Sequence, residues 1–415
     1  MSNPEPRPGC SPMLLEVPTT FTPEWVDAVA ALNREFEGTG RRIDELYGAF
    51  QSSRFSSARP AKYLPSPTRE QFADHVRGLR DRGVRFNYLL NAPSYANHEY
   101  TAEGRRELED ELRFLVDSGV ASVTVAIPYI VDIVASRFPQ LEVVVSTIGY
   151  VNSIRGLEQF ANAGARRVIV DVEVNRDFTF LERAVRAGYA EIGVIANPVC
   201  IYQCNFKHSH YCVAAHGSQA NGTPGHIGTP YNQYYLNWCF LQKLEKTDEF
   251  LKSPWIRPED VPHWERIGIR HYKLAGRGST EEHLERLSRA YLAQRFAGNL
   301  LDLLGWPHWL SFRKTADGRT LPPLDITLDN RELDGFLNFF VEKRPDCRNG
   351  CGDCNYCTLV GWKTVRVTEG GLLADYVTNM RAGLRELVDH VPTDEETSEA
   401  EARWRKEASK QAVGR

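Results

Sequence analysis

Hydrophobic and polar positions fall into a repeating unit along most of this chain. An amphipathic helical stretch closes on a glycine, and an apolar, β-rich run begins one to three residues later. The clearest cases are Arg82-Gly83 before RFNYLL, Ser118-Gly119 before SVTVAI, Ala163-Gly164 before RRVIVDV, Ala187-Gly188 before AEIGVIA and Ile267-Gly268 before RHYKLAG. Each glycine suits the left-handed residue that ends a helix, and each apolar run suits a strand buried on both faces of a parallel sheet. Together with Leu14–Phe21, Ile43–Phe50 and Glu142–Ser146, the pattern predicts eight strands, at 14–21, 43–50, 85–91, 121–127, 142–148, 167–172, 190–196 and 270–275. A helix is predicted after Pro23, with Trp25, Val29 and Leu32 on one face, and a long closing helix over Ser279–Leu304. Eight parallel strands with intervening helices make an α/β fold, a TIM-type (β/α)8 barrel over residues 13–305. The rival is an open doubly wound sheet, but nothing in the sequence marks the switch point where such a sheet binds ligands.

The rhythm breaks once. Between the seventh and eighth strands, residues 197–239 read as a long loop that opens ANPVCIYQCNFKHSHYCVAAH and continues through the Gly-, Pro- and Asn-rich run 217–233. A small Cys-rich region with a helix over Gly371–Leu387 is expected across 306–390, with a disordered start at 1–12 and a charged tail at 391–415. The net charge of −4 gives no reason to expect a nucleic-acid partner. No apolar run reaches membrane-spanning length, and no basic, signal-like segment opens the sequence. The expectation is a cytoplasmic protein whose nine cysteines stay reduced.

Eight of those cysteines form two groups. Cys200, Cys204 and Cys212 fall within thirteen residues, and Cys239 follows. Thiolates suit zinc or an iron–sulfur cluster, and structural zinc sites usually pair their cysteines in two short knuckles, which this spacing does not. A structural [4Fe–4S] cluster is the plain alternative to a functional one. The position at the C-terminal end of a barrel strand, where barrel enzymes place their active sites, favours function. Radical-SAM chemistry is set aside, because position 207, where a third cysteine would belong, is lysine, and its motif follows the first strand. The second group, CRNGCGDCNYC, holds Cys347, Cys351, Cys354 and Cys357 within eleven residues, a pattern for a second [4Fe–4S] cluster or a zinc ion.

The segment LKSPWIRPEDVPHWERIGIRHYKLAGR at 251–277, the Asn-Pro-x-Cys loop and the terminal Cys-rich motif resemble the collagenase-like peptidase family, peptidase family U32. The resemblance runs from the second strand to Cys357. It implies a TIM-type barrel with one [4Fe–4S] cluster at Cys200, Cys204, Cys212 and Cys239. It further implies oxygen-independent hydroxylation of the kind that family members carry out on ubiquinone precursors, tRNA uridine or rRNA cytidine, with prephenate as a candidate oxygen donor. The larger C-terminal extensions of the RNA-directed members are missing here, so RNA-base hydroxylation ranks behind a small organic substrate.

Polar residues at predicted strand ends complete the candidate site. Asn91, Ser146, Asn197, Arg257, Lys273 and Arg277 are expected to bind an anionic substrate, and Glu173, His210 and His216 to act as acid–base groups. Each has an ordinary structural explanation as well: Lys273 and Arg277 as partners of Glu259 or Asp260, Glu173 as a helix cap, a histidine as packing. Three other functions stay open: a peptidase, although neither Gly-x-Ser-x-Gly nor His-Glu-x-x-His occurs; an RNA-modifying enzyme; and a non-catalytic partner of a paralogous barrel. Homodimers or heterodimers, and an external electron donor, are compatible with all of these.

Overall fold

The computed structural model describes residues 13–50, 55, 57–59, 64–218, 234–306, 315, 318–367, 370–390, 393, 395–396 and 399. Eight parallel strands close into a barrel: β1 (Met13–Pro18), β2 (Arg41–Gly48), β3 (Arg85–Leu90), β4 (Ser122–Val125), β5 (Glu142–Val145), β6 (Arg167–Ile169), β7 (Glu191–Ile195) and β8 (His271–Lys273). The last strand returns to the first, with Leu15 opposite Tyr272 and Glu16 opposite Lys273. Every predicted strand is present; β2 has the predicted length but starts two residues earlier, and the other seven are shorter than their apolar runs because the ends turn into loops before the hydrophobicity stops.

The helices α1 (Pro23–Glu35), α2 (Arg69–Arg80), α3 (Ala102–Asp117), α4 (Pro128–Arg137), α5 (Ile154–Asn162) and α6 (Phe178–Ala187) lie between successive strands. In α1, Thr22 caps the first turn through Trp25 N–H, and Trp25, Val26, Val29 and Leu32 form the buried face. Gly188 ends α6 at φ 66°, the left-handed closure expected from the sequence. Gly164 has a second reason to be glycine: a Cβ there would sit 2.3 Å from the Ala135 Cβ.

The barrel interior is more charged than the apolar runs suggested. Strand alternation points Arg167 inward, where its fully buried guanidinium meets Glu16 at 2.5 Å, Glu45 at 3.0 Å and Glu142 at 2.8 Å. His271 Nδ1 lies 3.2 Å from Arg167, and Lys273 Nζ lies 3.0 Å from Glu16. Arg167, Lys273 and the part-exposed Arg85, which pairs with Glu142 at 2.6 Å and Glu45 at 3.3 Å, face the three carboxylates, and Asn87, Ser122 and Thr124 link Glu45 to the next strands, which satisfies groups that would otherwise be prohibitive to bury.

Two predicted elements differ. The closing helix, α11 (Glu281–Ala293), stops well before Leu304, because Gln294 turns left-handed (φ 51°) and its N–H caps Ala290 and Tyr291 carbonyls. The cysteine stretch is not simply a loop. It folds into α7 (Lys207–His216), and α8 (Tyr234–Glu245) follows; of the predicted loop at 217–233, residues 219–233 lie outside the described residues. Beyond α8 come α9 (Glu249–Lys252) and α10 (Pro262–Arg266), which lead into β8.

The C-terminal region is an appendage on that insertion. It comprises a β9 (Ile326–Leu328)–β10 (Val365–Val367) ribbon, α12 (Asn338–Lys343), α13 (Cys347–Gly350), α14 (Tyr356–Thr364) and α15 (Gly370–Asp389). α14 packs on α9 and α15 on α8. Thr358 donates to Asp248 at 2.6 Å, and Gly361 lies so close to Asp248 that a Cβ would meet its backbone at 3.2 Å. Among the described residues, no helix is long and apolar enough to cross a membrane.

Candidate functional site

The C-terminal ends of the strands gather the candidate residues, but not in the roles expected of all of them. Asn91 donates to Ser146 Oγ at 3.1 Å and accepts from Ala58 N–H, tying the ends of β3 and β5 to the loop after β2. Asn197 is a clamp: its amide holds Ala275 through N–H (2.6 Å) and C=O (2.9 Å) and also reaches the Leu303 carbonyl. It therefore fixes the mouth without offering its side chain to a ligand. Arg257 is corrected further. It is buried and spent on Asp260 (3.0 Å), Asp334 (3.0 Å) and the Asn330 carbonyl (2.6 Å), so it fastens the appendage instead of lining the pocket.

Lys273 and Arg277 remain at the mouth. Neither pairs with Glu259 or Asp260. Lys273 is neutralised from below by Glu16, and its ammonium lies 3.7 Å from the centre of the Tyr47 ring. Burial pushes this ammonium down although Glu16 faces it, while Glu16 is held down to about 2 because Lys273, Arg167 and His271 together outweigh its own burial. With Lys273 and Arg167 against it and His271 beside it, Glu16 is ionised. Arg277 donates to Ser57 Oγ at 2.7 Å and faces Arg59, Tyr47 and Tyr211. Burial first, and then the adjacent Arg59, bring its guanidinium down to about 10.

Glu173, expected as an acid–base group, is engaged in an ion pair. With Asp171 it holds Lys207, both at 2.7 Å. Position 207 entered the sequence reading only as a lysine in place of a cysteine; the buried Asp171, two residues beyond β6 on the same face as Arg167 and Ile169, was the overlooked signal. Lys207 lies 5.0 Å from the centre of the Tyr150 ring, against which the His208 ring lies tilted at 4.0 Å between centres. Tyr150 is itself left-handed (φ 52°), and its buried hydroxyl has no hydrogen-bond partner among the described residues. His210 stacks between Tyr211 and Tyr235, and burial lowers its imidazole to about 4, so it is neutral. His216 ends α7, half-buried.

The first cysteine group surrounds this region. Cys200 and Cys204 follow β7, Cys212 is on α7 and Cys239 on α8. The thiols of Cys200, Cys204 and Cys239 are within electrostatic range of one another, and the buried Lys243 donates to Cys239 Sγ at 3.2 Å. The orphaned Tyr150 hydroxyl lies in the field of Asp171, Cys212 and Cys204. Among the described residues, no three Cys, His, Asp or Glu side chains are gathered closely enough to hold a metal ion. An all-sulfur donor set on separate elements, a buried ammonium and an orphaned phenol do fit an iron–sulfur cluster in their chemistry.

The second group is not remote from the first. Cys347, Cys351 and Cys357 line a cavity of about 280 Å³ together with Glu173, Arg176 and Tyr202, the last lying between Cys200 and Cys204. Gln203 donates to the Arg348 carbonyl at 2.7 Å.

The profile of peptidase family U32 matches residues 41–295. The chain belongs to peptidase family U32. A relative described as an uncharacterized protease of Methanocaldococcus jannaschii is 27% identical over 304 residues, covering 73% of this chain and 84% of that one. Among solved structures, the U32 peptidase Mk0906 is 17% identical, with a TM-score of 0.47 over 66% of this chain and 97% of that one. A D-psicose 3-epimerase is 11% identical, with a TM-score of 0.32 over 51% and 83%. The U32 match ends at 295, so it includes the first cysteine group and excludes the second.

Proposed function

We propose that this U32 protein is an iron–sulfur enzyme that hydroxylates a small anionic organic substrate without dioxygen. The observation that carries the reading is that Cys200 and Cys204 follow β7, and Cys212 and Cys239 lie on α7 and α8, beside the barrel mouth where Arg277 donates to Ser57 and meets no carboxylate among the described residues. Those four cysteines would hold a [4Fe–4S] cluster, which with all four ligands in place would supply electron transfer, and with one cysteine off its iron Lewis acidity. In the overall reaction an oxygen atom passes from an organic donor to a C–H bond of the acceptor, and the donor leaves reduced by two electrons; prephenate is the donor to try first.

The chain's own residues bind and orient. Arg277 takes a substrate carboxylate in a charge-assisted contact, with Ser57 fixing its Nη1. Lys207, held charged by Asp171 and Glu173, supports the ring of Tyr150, whose hydroxyl keeps its proton because burial and the neighbouring acids push its pKa upward. Glu173 therefore acts through Lys207, as a positioning residue.

The test is anaerobic reconstitution of the full chain, with iron, acid-labile sulfide and zinc determined for wild type and Cys200→Ala. One filled cubane holds four irons. Expected are brown protein, loss of about that amount in the variant, and hydroxylated product only with an organic donor. Colourless protein that holds zinc alone and cleaves peptides would overturn the reading in favour of the peptidase that the family name states.

A further inference from the structure

Lys273 is the member of the barrel's ion network that reaches the working end. Arg85, Glu142 and Glu191 are the first residues of their strands, and Arg167, Glu16 and Glu45 are fully buried. Lys273 is the last residue of β8, at the C-terminal end where barrels place their active sites. Its side chain keeps 10% of its surface exposed.

The backbone around it is fixed. Leu274 N–H donates to the Glu16 carbonyl, the Tyr47 hydroxyl donates to the Leu274 carbonyl at 2.6 Å, and Asn197 clamps Ala275. The ammonium itself is held by much less. It has three N–H donors, and Glu16 Oε2 at 3.0 Å is its hydrogen-bond acceptor among the described residues. Its other neighbour is the Tyr47 ring, 3.7 Å from nitrogen to ring centre. Glu16 does not depend on this lysine alone, since Arg167 meets it at 2.5 Å. An amine beside one carboxylate at a barrel mouth is placed as a lysine nucleophile is placed. Burial lowers its ammonium in spite of Glu16 and Glu45, which favours the free amine further. Arg277 stands within electrostatic range of the same Tyr47. A 2-oxo acid carries its ketone and its carboxylate on adjacent carbons, so one small ligand can meet an amine and a guanidinium that share one tyrosine.

We propose that Lys273 is a nucleophile that forms an imine with a 2-oxo acid whose carboxylate Arg277 takes. The carboxylate half rests on the reading of Arg277 given above. The ammonium gives one proton to Glu16. The amine lone pair then forms a C–N bond as the C=O π bond breaks, and a second nitrogen proton passes to the resulting alkoxide. Glu16 returns its proton to that hydroxyl, which leaves as water while the nitrogen lone pair completes the C=N bond. The product is a protonated imine, so the positive charge stays at the nitrogen, paired with Glu16 and against the Tyr47 ring.

The experiment incubates the anaerobically reconstituted full chain with pyruvate and cyanoborohydride, then maps adducts by mass after trypsin digestion. Alkylation of Lys273 blocks cleavage there, so trapping yields the uncut peptide 271–277 carrying the reduced adduct. Trapping at Lys273 is expected to run ahead of that at the exposed Lys246 and Lys363, and this measurement needs only wild type. It should be lost in Lys273→Arg, which keeps the charge beside Glu16, and Arg277→Ala should need about tenfold more pyruvate. No adduct at Lys273, or one that grows no faster than those on Lys246 and Lys363, overturns the imine and leaves Lys273 as the partner of Glu16. Calorimetric binding of a dicarboxylate that is retained in that case and lost in Arg277→Ala would leave the reading of Arg277 standing. Trapping at an unchanged pyruvate concentration in Arg277→Ala overturns the carboxylate half of the proposal.

Discussion

Glu16 shows how a single side chain can set the acid stability of this barrel. Its carboxyl is held to about 2 by Lys273, Arg167 and His271 against its own burial, so it is depressed from an ordinary value of 4.5. A carboxyl depressed in the folded state stabilises above its unfolded pKa and loses that stability as pH falls through the folded one. The window is therefore pH 4.5 down to 2, and the loss is on the order of 3 kcal/mol for this group. His75 acts earlier in the same direction: burial lowers it from 6.5 to about 4, so stability already declines as pH falls below 6.5. Glu16→Gln should flatten the lower part of a Tm-against-pH curve and, by leaving Arg167 and Lys273 under-neutralised, cost about 3–5 kcal/mol at pH 7. A wild-type-like curve in that variant would show that the cations are satisfied by Glu45 and Glu142 alone. At the mouth, Arg277→Ala should weaken binding of prephenate or a comparable dicarboxylate roughly ten- to a hundredfold. Arg277→Lys should be nearly as poor if the contact is bidentate, and calorimetric titration of both variants decides this.

At the scale of elements, β7 carries an exacting packing requirement. Gly193 faces the barrel interior, where a Cβ would meet Ile169 Cδ1 at 2.5 Å and His271 Cβ at 3.3 Å. Gly193→Ala is expected to lower stability by about 1–3 kcal/mol through overpacking, read as a fall in denaturation midpoint without a change in slope. No fall would mean that Ile169 swings clear. The cysteines separate by element as well. Cys200 and Cys212 belong to the mouth, and their alanine variants should lose turnover with little loss of Tm. Cys351 and Cys354 belong to the appendage, and theirs should lower Tm first; activity of Cys200→Ala at the wild-type level would reduce the first group to a structural role.

For the whole molecule, the joint between barrel and appendage is the part where composition misleads most. Arg257→Ala removes a buried cation from Asp260 and Asp334, and should cost about 3 kcal/mol and expose the 320–367 region to limited proteolysis while the barrel stays resistant. Uniform resistance would show that the Phe336–Tyr356 stack and the α14–α9 packing suffice. By itself the sequence determined the barrel, because a strand buried on both faces leaves an unbroken apolar run and each helix closes on a residue such as Gly188 that tolerates a left-handed backbone. The spacing of the cysteines along the chain is likewise legible there, since spacing is a local property. Only the tertiary structure decided which cations are spent. Arg257, Lys273 and Arg277 look alike along the chain, yet one meets Asp260, one meets Glu16, and one meets Arg59 and Ser57. A charge is neutralised by whatever lies a few ångströms away in space. For Lys273 that neighbour is 257 positions away in sequence, a distance at which no local pattern carries information.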